Sequence, residues 1–77
     1  MDRQAKIIEI VKRFAKRDAA PAPEESLFDS GLLDSFALPD MVSALEEEFA
    51  IRIPDADLNP RKFDSIARID AYVASRQ

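Results

Sequence analysis

Apolar residues Ile7, Ile8, Val11, Phe14 and Ala15 recur at helical spacing, with Arg3, Lys6, Lys12, Arg13, Lys16 and Arg17 distributed mainly around the other side. The pattern predicts an amphipathic helix over about 3–16. A basic amphipathic helix can lie on a membrane, but Glu9 and a modest apolar face favour packing against a core. A second stripe joins Phe36, Met41, Val42, Leu45 and Phe49, while Asp40, Glu46, Glu47 and Glu48 include the exposed positions. Pro39 locates the start of this helix, because proline is tolerated only in the first turn, where backbone N–H groups have no intrahelical partner. Ser35 then falls at the N-cap. A third stripe, Ile66, Ile69 and Val73, predicts a helix over about 65–74 with Asp64 as N-cap.

Between these stripes the chain turns irregular. Residues 18–34 hold Pro21, Pro23 and the only glycine, Gly31, which breaks the helical pattern. Leu27, Phe28, Leu32 and Leu33 lie within this stretch, and four large apolar side chains left in water would be costly, so the loop must fold back onto the core. The run Ile51-Arg52-Ile53-Pro54 alternates like a strand but has no evident partner strand and stops at Pro54, so an extended connector is expected. One short helical turn is expected over 55–58, before Asn59-Pro60 interrupts the backbone. The expected fold is therefore an all-α bundle of three main helices plus one short helix, with a long loop between the first two. With 77 residues, a single domain over 1–77 with one core is expected.

Composition narrows the function. Hydrophobic residues make up 47% and charged residues 34%, enough for a small core and against disorder throughout. The absence of cysteine removes disulfides and thiolate metal sites. The absence of histidine removes the commonest general base, the commonest metal ligand and any imidazole-dependent triad. No catalytic residue and no metal ligand is assigned, and a carrying or binding role is expected rather than an enzyme. The net charge of −4 conceals an asymmetry. Residues 1–17 carry six Lys/Arg against Asp2 and Glu9, a net +4, and residues 18–77 carry 13 Asp/Glu against five Lys/Arg, a net −8. Most of the surface should repel nucleic acid and attract basic partners. Apolar runs are short, without a membrane-spanning segment, and the N-terminus has no signal-peptide pattern, so a cytoplasmic monomer without stable membrane insertion is expected. Met1 and the polar end Ser75-Arg76-Gln77 suit a stand-alone chain.

Three Asp-Ser pairs occur, at Asp29-Ser30, Asp34-Ser35 and Asp64-Ser65. The first, followed by Gly31, reads as turn chemistry, and the third precedes an apolar helical run, where capping explains it. Asp34-Ser35 is delivered by Gly31-Leu32-Leu33 to the mouth of an acidic helix, where unpaired N–H groups and a positive dipole end favour an attached phosphate. Residue physics alone favours an ordinary N-cap serine there.

The chain resembles an acyl carrier protein over nearly its whole length. The resemblance rests on the amphipathic first helix, the loop Leu27-Phe28-Asp29-Ser30-Gly31-Leu32-Leu33, the Asp34-Ser35 motif, Leu45-Glu46-Glu47-Glu48-Phe49 and Ile51-Arg52-Ile53-Pro54. It implies that a phosphopantetheinyl transferase attaches 4'-phosphopantetheine from coenzyme A to Ser35, with Asp34 beside it, and that the cofactor's thiol carries cargo as a thioester. It further implies an acyl- or aminoacyl-loading ligase and a downstream transferase or synthase as partners, met through Asp34, Phe36, Asp40, Glu46 and Glu47. For the Glu46-Glu47-Glu48 run, a merely solvated helix face is the competing reading.

Phe36, in place of the leucine common after the serine, and Leu38-Pro39-Asp40 depart from the housekeeping fatty-acid pattern. The run from Gly31 to Phe36 is similar to D-alanyl and stand-alone aminoacyl carriers, as well as to specialised acyl carriers of biosynthetic clusters. A small cargo is expected, because Phe36, Phe49 and Phe63 would add bulk to a small bundle that a long chain must open. The alternative from another class is an acidic helical module that binds a basic partner without a cofactor.

Overall fold

A computed structural model describes residues 2–16 and 20–77. It contains α1 (Arg3–Phe14), α2 (Leu38–Phe49) and α3 (Ile66–Arg76), with 3₁₀ turns at Ser35–Ala37 and Asp55–Asp57 and no strand among the described residues. The all-α expectation holds, with a second 3₁₀ turn in addition to the one foreseen near 55–58.

Asp2 caps α1, its side chain accepting from the Gln4 N–H at 3.2 Å. The helix stops at Phe14 rather than near 16 because Ala15 is extended (φ −70°, ψ 141°) and the Lys16 N–H donates to the Leu32 carbonyl at 2.8 Å. A bond to the returning loop replaces the last helical turn. Ile7, Ile10 and Val11 are buried, whereas Ile8, Phe14 and Ala15 pack at the core's margin. Ile10 is a core residue that the apolar spacing alone did not single out.

The second helix requires two corrections. It begins at Leu38, with Ala37 at its N-cap and Pro39 in the first turn as expected, so Ser35 is not its cap. The extra 3₁₀ turn also rotates Phe36 out of the predicted stripe. Phe36 is 89% exposed, and the buried face is Leu38, Met41, Val42 and Leu45. The helix closes on Ala50 in the left-handed region (φ 53°), whose N–H donates to the Glu46 carbonyl. Beyond it, 51–54 is the extended connector foreseen, and Ile53 is buried.

The cap of α3 is a further correction. Ser65, not Asp64, accepts from the Arg68 N–H at 3.1 Å, and the helix runs on to Arg76. Asp64 instead reaches the long loop, accepting from Ser26 Oγ at 2.8 and 2.9 Å and from the Phe28 N–H at 3.2 Å. The Asp64 carbonyl also accepts from the Leu27 N–H, and the Ala67 N–H donates to the Pro23 carbonyl at 2.8 Å. These bonds press the loop onto the helices, so Leu27, Leu32 and Leu33 join Ile66, Ile69, Val73 and Phe63 in the core as the loop composition required. Each buried leucine contributes roughly 1.5–3 kcal/mol of transfer free energy. At the far end, Arg3 and Gln4 hydrogen-bond the Asp70 carboxylate and clamp α1 to α3, and the Arg3 bond is the main cause holding that carboxyl below its ordinary range.

Candidate functional site

The approach to Asp34-Ser35 is anchored on both sides. Gly31 adopts φ 81°, a left-handed conformation that a residue with a Cβ enters only with strain, and its N–H donates to the Phe28 carbonyl at 3.1 Å. The chain then buries Leu32 and Leu33, and the Leu33 N–H donates to the Leu27 carbonyl at 2.9 Å. Two buried side chains before the motif and the buried Leu38 after it fix where the intervening turn emerges.

Asp34 does the capping expected of Ser35. Its Oδ1 accepts from the N–H groups of Phe36 at 3.0 Å and Ala37 at 3.3 Å, and its Oδ2 lies 3.4 Å from Lys16 Nζ. The donors at the start of the turn are therefore taken by a side chain of the protein. Ser35 is exposed, and its Oγ forms no hydrogen bond among the described residues. This hydroxyl can be esterified without breaking any bond the fold depends on, so the residues present fit a covalent phosphopantetheine.

The other two serines differ. Ser65 is 5% exposed, and its Oγ caps α3. Ser30 Oγ donates to the Leu27 carbonyl and accepts from the Leu32 N–H, each at 3.4 Å, inside the loop's turn. Of the three Asp-Ser pairs, only Asp34-Ser35 has its carboxylate capping and its hydroxyl in solvent.

The side chains expected to meet partners separate into two groups. Asp34, Phe36 and Asp40 gather around the mouth of α2, with Phe36 and Asp40 exposed. Glu47 is exposed one heptad after Asp40, on the same side of the helix. Glu46 is half-buried, and its carboxylate accepts from the Ile53 N–H at 2.7 Å, tying α2 to the connector. Glu48 pairs with Lys6 at 3.4 Å. Lys16 was not legible as part of the site: it stands a whole loop away in sequence, and only the fold brings its ammonium to Asp34.

Among the described residues no helix is long and apolar enough to cross a membrane. Residues 5–72 match the family described as phosphopantetheine attachment site. Over 75 residues the chain is 32% identical to the D-alanyl carrier proteins of Lactobacillus acidophilus and Lactobacillus helveticus, covering 97% of this chain and 95% of each of theirs. It is likewise 32% identical over 69 residues to that of Streptococcus sanguinis, covering 90% and 87%. Proteins of this kind are modified by a phosphopantetheinyl transferase and serve ligases and synthases, and the cofactor-free alternative is not favoured. This chain belongs to the phosphopantetheine carrier proteins, and its function is to hold an acyl or aminoacyl group on a covalently attached 4'-phosphopantetheine.

Proposed function

We propose that Ser35 Oγ is the attachment point and that the cargo is an amino acid or a short acyl group. The observation that carries the attachment is the exposed Ser35 hydroxyl, without a hydrogen bond among the described residues, beside a carboxylate that has taken over the cap. In this reading Ser35 supplies the ester oxygen, Asp34 keeps the turn formed, and Leu33 and Leu38 hold both ends of the turn in the core. The bound group supplies the thiol on which cargo is held as a thioester. The small-cargo reading draws on relatives named D-alanyl carrier proteins and on Phe36 in place of leucine. Phe36 lies outside the core, so it adds nothing to the bulk argument, which keeps only the buried Phe63 and the half-buried Phe49.

The chain acts as a single-domain cytoplasmic monomer without a reaction of its own. The transferase, the loading ligase and a downstream transferase or synthase meet it through Asp34, Phe36, Asp40 and Glu47, while Glu46 contributes mainly by holding the connector. Intact-mass analysis after incubation with coenzyme A, magnesium and a broad-specificity phosphopantetheinyl transferase tests the attachment. One added phosphopantetheine on the wild type and none on Ser35→Ala is expected, whereas modification at Ser30 or Ser65 would overturn it. Loading alanyl and octanoyl groups in parallel tests the cargo: broad core amide shifts with marked octanoyl stabilisation would sink the small-cargo reading.

A further inference from the structure

The third helix presents a surface opposite in charge to α2. Arg68, Ala71, Tyr72 and Arg76 follow helical spacing along one side of α3. Arg61 and Lys62, from the preceding turn, line with Arg68, Ala71 and Tyr72 an open groove of about 530 Å³. Its floor is fixed: the Tyr72 ring packs 5.1 Å from Phe63, and the Tyr72 hydroxyl donates to Asp57.

Two of the cations around this groove, Arg68 and Arg76, are held in place by neutral groups. Arg68 Nη1 donates to the Arg61 carbonyl at 2.9 Å, and Arg76 Nε donates to the Arg52 carbonyl at 3.2 Å while its guanidinium stands 6.0 Å from the Tyr72 ring centre. Among the described residues, Arg61, Arg68 and Arg76 form no ion pair, whereas Arg3, Lys6 and Lys16 each meet a carboxylate. Asp57, whose carboxyl feels Arg76, is already engaged by Tyr72 and, at 3.5 Å, by Lys62. Arg68 and Arg76 are thus oriented in advance without being neutralised. Orienting a long side chain is a cost of binding that is here met within the fold, and an incoming carboxylate need not displace one already present.

We propose that this groove is a docking surface for an acidic peptide segment of another protein, its carboxylates meeting Arg61, Arg68 and Arg76 and one apolar side chain resting on Ala71 and the Tyr72 ring. A second copy would have to offer its acidic α2, a contact that brings together two chains of net charge −4. The groove shares no lining residue with the surroundings of Ser35, so a partner seated on it leaves Ser35 and the acidic side of α2 presented to an enzyme. This goes beyond the carrier reading and does not depend on which serine is modified.

The test is titration of the isotope-labelled full chain with a Glu-rich peptide containing a single leucine, followed by amide shifts. Shifts confined to 59–62 and 68–76, affinity falling with salt, and a loss of about tenfold or more in Arg61→Glu and Arg68→Glu support the proposal. Lys12→Glu and Arg13→Glu, on the exposed side of α1, should bind the peptide as the wild type does. Retained amide dispersion and unchanged phosphopantetheinylation of the groove variants show that the fold and the carrier function are intact. Shifts mapping to α1, equal binding by the groove variants, or no binding would overturn it. So would concentration-dependent shifts without peptide, which would mark a second copy as occupant, or binding to phosphatidylserine vesicles in place of the peptide, which would mark a lipid surface.

Discussion

The Asp34 carboxylate and the Lys16 ammonium lie 3.4 Å apart, joining the end of the first helical segment to the turn that carries Ser35. Both groups are substantially exposed, so the ion pair itself contributes little, whereas the cap made by the other carboxylate oxygen contributes about 1 kcal/mol. Asp34→Ala should therefore lower Tm by roughly 4–8 °C for a domain of this size, and slow phosphopantetheinyl transfer. Asp34→Asn, which can still cap, should keep most of the stability, and Lys16→Ala should melt close to the wild type. Thermal melts of the three variants check this, and equal melting of Asp34→Ala and wild type would refute the capping role.

Partner recognition and stability separate along α2. Phe36→Ala and Asp40→Lys alter exposed side chains and should change stability by less than about 0.5 kcal/mol, while lowering kcat/KM of the loading ligase. Glu46→Ala removes the acceptor of the buried Ile53 N–H and should cost roughly 1–3 kcal/mol of stability. Denaturant melts alongside ligase kinetics distinguish the two kinds of effect.

Asp64 ties the loop to the entry of α3 through Ser26 and Phe28. Asp64→Ala should raise amide exchange across 26–33 before it affects α1, and should cost roughly 1–3 kcal/mol. Leu32→Ala, which empties a fully buried site within the same loop, should cost about 2–5 kcal/mol. Hydrogen exchange and urea unfolding measure both.

Tyr72 and Asp57 set opposite edges of the pH range. Burial first, and the Asp57 hydrogen bond second, push the Tyr72 phenol up to about 12 from 10.0. The folded state thus holds this proton more tightly than the unfolded chain, and the associated stability is present below pH 10 and lost as pH rises towards 12. The Tyr72 hydrogen bond is the main cause lowering the Asp57 carboxyl from 3.8, so that contribution is present above pH 3.8 and lost as pH falls below it. Tyr72→Phe should abolish the alkaline loss and weaken the acid one. Stability measured by urea unfolding across pH would show an unchanged alkaline limb if this were wrong.

Much of the architecture was already determined by sequence. The spacing of Ile66, Ile69 and Val73 defined a helix face, Pro39 bounded α2, and the apolar content of 27–33 forced a long loop into the core. These features are local periodicity or a need to leave water, and both act before tertiary contacts form. The motif Asp34-Ser35 was legible for a different reason, since its surrounding run matches a family pattern. Tertiary structure decided which residue of each Asp-Ser pair caps. At 34 the carboxylate turns inward to the Phe36 and Ala37 N–H groups and leaves Ser35 in solvent, whereas at 64 the carboxylate is drawn away to Ser26 and Phe28, so Ser65 caps. The dipeptides are identical, and the competition is settled by whether a distant loop offers the aspartate better donors. The same holds for Phe36, which helical spacing assigned to the core: one intervening 3₁₀ turn changes the angular register, and the side chain that would have been buried points into solvent beside the serine.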